Sequence, residues 1–130
     1  MGDSNTYDGP ERRKFARMPF SFPVRFKECG YDKNNLKEEG TSQYAYSNNI
    51  SVGGIQLKLP QRLKTGIFLR LKLTLPIYSE CKIVHFLGQV MWSQFDETEE
   101  KYVAGIQFLD LDEVDKITLE EFIHESLKDS

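Results

Sequence analysis

Along the second half of the chain apolar and polar residues alternate with a period of two. Ile55, Leu57 and Leu59 are separated by Gln56 and Lys58, and Ile67, Leu69, Leu71, Leu73 and Leu75 by Phe68, Arg70, Lys72 and Thr74. Successive side chains of a strand point to opposite faces, so this spacing predicts half-buried antiparallel strands. Pro60 closes the first strand, Thr65-Gly66 turns the chain, and Pro76 ends the second. From Cys81 to Phe95 the pattern predicts one long or bent strand with Val84, Phe86, Val90 and Trp92 on one face and Gly88 as a bulge or bend. Tyr102, Ala104, Ile106 and Phe108 form the inward side of a final strand.

The flanking segments differ. Residues 1–10 are polar, contain glycine and have nothing to bury, which predicts a flexible tail ahead of a domain over 11–128. Pro19 and Pro23 disfavour helix before them and lead into a first strand, Val24 to Lys27. Cys29 to Gln43 is rich in glycine, asparagine and charge, which predicts a solvated loop, and Tyr44 to Ile50 returns as a strand. Asp112 is placed to cap a helix over Glu113 to Lys128, whose Val114, Ile117, Phe122, Ile123 and Leu127 have amphipathic spacing. The sum is a mainly β chain: a six-stranded antiparallel β-barrel with a C-terminal α-helix as lid or plug. Closure would remove the exposed strand edges that promote aggregation. There is no internal repeat and no low-complexity segment.

Composition narrows the function. At 130 residues, 39% hydrophobic and 28% charged, the chain fits one soluble domain with a real core. The first twenty residues hold no apolar run of signal-peptide type, and nowhere do about eighteen uncharged apolar residues follow one another, so no membrane insertion and a cytoplasmic location are expected. Cys29 and Cys81 lack CxxC spacing and read as free thiols. A net charge of −3 tells against binding duplex nucleic acid, so any anion site must be local. Arg12, Arg13, Lys14 and Arg17 gather four of the 17 basic residues into one short window, while carboxylates crowd Asp96 to Glu100 and the last twenty positions.

Two motifs carry candidate chemistry: RxxxR at Arg13 to Arg17, and NxSxxG at Asn49, Ser51 and Gly54. A guanidinium matches O6 and N7 of guanine with two parallel hydrogen bonds, and can also stack on the base or hold a phosphate. Asn49 and Ser51 add small polar groups. Gly54 lets a ligand approach the backbone or lets the chain turn sharply. His85 and His124 lie far apart without a metal-ligand motif, so no metal is expected. GxSxG, P-loop and GxGxxG patterns are missing and Ser51 has no evident base, which predicts a non-enzyme.

In order and setting these motifs resemble the PilZ domain family of bacterial cyclic di-GMP receptors, marked by RxxxR in an N-terminal arm and [DN]xSxxG before a barrel strand. Phe22-Pro23-Val24-Arg25-Phe26, Gly53-Gly54-Ile55-Gln56-Leu57 and Val103-Ala104-Gly105-Ile106-Gln107-Phe108 agree with its strands, so the resemblance covers about Glu11 to Leu127. The loop from Cys29 to Gln43 is long for the family. The resemblance implies that Arg13 and Arg17 grip guanine edges and phosphates of cyclic di-GMP, that Asn49 and Ser51 bond a second guanine or the sugar-phosphate, and that Gly54 provides room. An arginine at Arg12 accompanies an intercalated ligand dimer in relatives, and Trp92 is a candidate stacking wall. No other cofactor is implied.

The implied function is a single-domain effector that changes its arm on binding and signals to a protein partner in motility, surface attachment or biofilm control. Ordering an arm costs about 1–2 kcal/mol per residue, against about 8 kcal/mol from a micromolar ligand, so the arm is expected to be loose until clamped. Plainer readings stand beside this. The arginines also fit a solvated basic tail, Asn49 to Gly54 a simple turn, and Trp92 a core residue. The alternative function is a protein-interaction module of the same fold that binds no nucleotide, as in pilus or flagellar assembly.

Overall fold

The computed structural model describes residues 21–77 and 80–128. Six strands and one helix follow in order: β1 (Pro23–Glu28), β2 (Glu39–Ile50), β3 (Gly54–Leu59), β4 (Phe68–Ile77), β5 (Glu80–Asp96), β6 (Lys101–Leu109) and α1 (Glu113–Lys128). The strands close into a barrel in the order β1-β2-β3-β6-β5-β4, every neighbouring pair antiparallel. The period-two pattern is the cause. Val24 and Phe26, Ile55, Leu57 and Leu59, Leu69 to Leu75 in alternation, and Val84, Phe86 and Val90 fill one interior.

Inside a small barrel every position competes for volume. Phe86 and Phe108 stack with ring centroids 4.4 Å apart. Gly88 is the cross-strand partner of Phe108, and a Cβ there would meet the side chains of Ile106 and Leu71. Gly88 is therefore an inward position kept empty for its neighbours, in regular register with Leu69 and Phe108, and the irregularity expected of it falls between Val90 and Trp92.

Two shifts of boundary from the sequence expectation have their cause in the pairing. β2 begins at Glu39, inside the segment read as loop, because Glu39 and Gln43 pair with Glu28 and Phe26 of β1. The early positions of β2 are exposed or half-buried, so no apolar alternation marks them. β4 runs through Pro76 to Ile77. β1 pairs only with Leu69 to Leu73, so at Pro76 the ladder exists on one side alone and the missing N–H costs little there.

α1 plugs one end of the barrel against β4 and β5 with Leu119, Phe122 and Ile123. Asp112 caps it, its Oδ1 accepting the Asp115 N–H at 3.0 Å. Val114 and Ile117, assigned to the buried stripe by spacing, are 70% and 55% exposed. The buried stripe starts one turn later, where the helix axis meets the barrel mouth. No helix among the described residues is long and apolar enough to cross a membrane.

Candidate ligand-binding site

Two extra residues build the site. Between Ser47 and Asn49 the β2–β3 register slips by one, and between Val90 and Trp92 the β5–β6 register does the same. A one-residue bulge exchanges the faces of everything beyond it. Ser47 is thus inside, Asn49 outside and Ile50 inside again, while Val90 is inside and Trp92 outside. The sequence pattern had placed Trp92 on the inner face with Val90. The bulged Met91, itself exposed, moves it to the outer one.

The consequence is a straight row across four strands. Asn49 pairs with Gln56, Gln56 with Gly105, and Gly105 with Trp92. Three strand spacings put the ends of the row roughly 14 Å apart. Gly105 is the floor under Trp92: a Cβ there would run into the indole, which is 38% exposed. An open depression of about 240 Å³ lies along the row, bordered also by Ser51, Gly54, Met91 and Gln107.

The turn that edges the depression is closed by its own hydrogen bonds. Ser51 donates its N–H to the Gly54 carbonyl at 2.9 Å and its hydroxyl to the same oxygen at 3.5 Å, while the Phe108 N–H donates to the Gly53 carbonyl at 3.0 Å. A Cβ on Gly54 would collide with the Ile106 carbonyl oxygen. The room Gly54 provides is taken by strand β6. Next to the turn the Asn48 side-chain amide donates to the Gln56 Oε1 at 3.0 Å.

Every lining side chain of the depression is uncharged. It offers amides, a hydroxyl and an indole face, which suit the edge and plane of a purine, and it lacks a counter-charge for phosphate among the described residues. No group of three or more His, Cys, Asp or Glu placed to hold a metal occurs among them either.

Asn49, Ser51, Gly54 and Trp92 are therefore brought together. Arg12, Arg13 and Arg17 lie outside the described residues, as does the tail over residues 1–10. The last turn of chain after them is fixed at Ser47. The Ser21 hydroxyl donates to the Ser47 carbonyl at 2.7 Å, the Phe22 N–H to the Ser47 Oγ at 2.9 Å, and the Ser47 N–H to the Phe22 carbonyl at 2.9 Å. Ser21 and Phe22, which follow the arm in sequence, are thus tied to the strand that carries Asn49, two residues away from it. Gln56, Gln107, Met91 and Gly105 were missed from sequence. Gly105 alone left a signal there, a glycine within an apolar strand, which marks a close approach.

The family model of the PilZ domain matches residues 11–125. The chain belongs to the PilZ domain family. Among curated proteins no sequence matches it. Among solved structures, the Bacillus subtilis inhibitor of motility MotI/DgrA superposes with a TM-score of 0.74 at 20% identity, covering 93% of this chain and 54% of that one. The PilZ domain of Escherichia coli YcgR with c-di-GMP gives 0.59 at 15% identity over 92% of this chain and 94% of that one. The K. pneumonia MrkH–c-di-GMP complex gives 0.57 at 17% identity over 92% and 53%. At these identities the likeness is one of fold. This PilZ chain spans about half the length of the MotI/DgrA and MrkH chains.

Proposed function

We propose that this PilZ chain is a cyclic di-GMP receptor and adaptor, with the nucleotide bound over the row Asn49–Gln56–Gly105–Trp92 and held down by the arginines of the arm. The observation that carries the reading is the pairing of an uncharged, purine-suited depression with an arm rooted beside it. A dianion over neutral amides needs cations, and Arg13 and Arg17, with Arg12, would supply them from the arm. Trp92, propped on Gly105, offers its indole face to a guanine; Asn49 and Ser51 offer hydrogen bonds to base edge or sugar-phosphate. YcgR and MrkH, similar in fold, are seen with c-di-GMP, and MotI/DgrA is an inhibitor of motility.

In this reading the arm is ordered on binding and the change reaches a protein partner in the cytoplasm. Phe22, clipped to Ser47 at the root of the arm, also meets Phe122 of α1 edge to face at 5.7 Å, so arm and helix share one joint. Arg12 favours an intercalated ligand dimer over a single molecule. Nothing in the mechanism calls for catalysis.

Titration calorimetry with cyclic di-GMP beside GTP, cyclic GMP and a short oligonucleotide tests the reading. Saturable heat with the cyclic dinucleotide alone, lost in Arg13→Ala and Arg17→Ala, is expected, and the stoichiometry decides between one ligand and two. Absence of heat at high concentration would leave the nucleotide-free interaction module.

A further inference from the structure

On the other wall of the barrel, away from the depression, charge is separated along one continuous face. Tyr44 of β2 pairs with Arg25 of β1, Arg25 with Lys72 of β4, and Lys72 with His85 of β5. Cross-strand neighbours lie about 5 Å apart, so these side chains form an unbroken outward row. Beside it Lys27 and Arg70 share Glu38, at 3.7 and 3.3 Å. Arg25 and Lys72 have no acidic partner among the described residues.

Beyond His85 the sign reverses. Leu87 pairs with Leu109, where β6 ends, and the chain then carries Asp110, Asp112 and Asp115 past the same face. Asp110 is held by Lys33 at 3.3 Å, and Asp112 caps α1, but Asp115 faces the groove without a cation among the described residues. Two open grooves, of about 210 and 640 Å³, meet at Glu38, Arg70, Leu71 and His85 and join the cationic end to the acidic end.

A face that is positive at one end and negative at the other is a poor fit to a polyanion or to a uniformly acidic protein surface, since each would be attracted to Arg25 and Lys72 and repelled at Asp110 to Asp115. It is complementary to itself. A two-fold axis through the middle, near His85, would lay the cationic end of one copy on the acidic end of the other, and would do so twice. We propose that the β1–β4–β5 face, from Arg25 and Lys72 to Asp115, is a two-fold interface between two copies of this chain. The exposed Ile83 and the half-buried Leu87 supply apolar contact beside the charge contacts.

Sedimentation of the full chain, without nucleotide, over a concentration series at low and high salt tests this. A monomer–dimer equilibrium weakened by salt is expected, and Lys72→Glu should weaken it at least about tenfold by setting like charges together twice. Asp115→Lys should do the same, with Arg25→Glu and Asp115→Asn as second variants at each end and circular dichroism as the check of folding. The decisive arm mixes Lys72→Glu with Asp115→Lys. Each alone opposes like charges, whereas the mixed pair restores opposite charges at both contacts and should dimerise. A chain monomeric throughout, a dimer indifferent to both reversals, or folded variants that stay apart on mixing would overturn the proposal.

Discussion

Single residues in this domain act by being small as often as by being reactive. Gly105 has its Cβ position occupied by the Trp92 indole, so Gly105→Ala should displace the ring, cost about 1–3 kcal/mol in chemical denaturation and red-shift the tryptophan emission. Weaker cyclic di-GMP binding in the same variant is expected under the proposed function. The two cysteines differ by environment. Cys81 is exposed, whereas Cys29 is buried, donates to the Lys27 carbonyl at 3.6 Å, and has its pKa raised, chiefly by desolvation. Alkylation near neutral pH should therefore label Cys81 and spare Cys29, as read by peptide mass. Because the folded-state value lies above the usual thiol value of 9.0, the stability linked to Cys29 is fully present below that pH. It is lost as pH rises through the folded-state value, and denaturation midpoints across the alkaline range check the sign. Asn49, Ser51, Gly54 and Trp92, which line the depression, were legible as candidates because their types carry chemistry. Gln56 and Gln107 were not, since a glutamine on the outer face of a strand looks the same whether or not a site lies over it.

Elements were legible wherever one face was buried. The alternation in β3, β4 and β6 follows directly from the barrel interior, and Asp112 announced the start of α1. Bulges were the opposite case. An added Asn48 or Met91 leaves no compositional mark, yet each reverses the faces of its strand, and the assignment of Trp92 to the interior failed for that reason alone. The helix start misled for a related reason: Val114 and Ile117 keep apolar spacing in a turn that has not yet reached the barrel. Deleting Met91 should cost more than about 3 kcal/mol in urea denaturation, because Trp92 would be driven inward and the rest of β5 out of phase. Met91→Ala keeps the extra residue and should change stability by about 0.5 kcal/mol or less.

For the whole molecule the question is how an event over Asn49 and Trp92 could be felt elsewhere. Ser47 is the junction: fully buried, it binds the arm root through Phe22, and Phe22 touches Phe122 of the plug. Hydrogen exchange should therefore slow in residues 12–20 on addition of cyclic di-GMP, with a smaller slowing at Leu119 to Ile123 of α1. Ser47→Ala, which leaves the buried Phe22 N–H without its acceptor and costs about 1–3 kcal/mol, should keep the first effect and lose the second. Unchanged exchange in the arm at saturation would contradict the proposed clamping.

The ring of ladders bears on the same point. Six strands bonded in a circle have no free member, so none can slide along its neighbour without breaking two rows of hydrogen bonds at once. The cylinder is then a fixed chassis, deaf to what settles on it. Under the proposed function, news of occupancy then travels by way of Phe22, where the chain joins β1, and of α1 at the barrel end, which is where a listener should be sought.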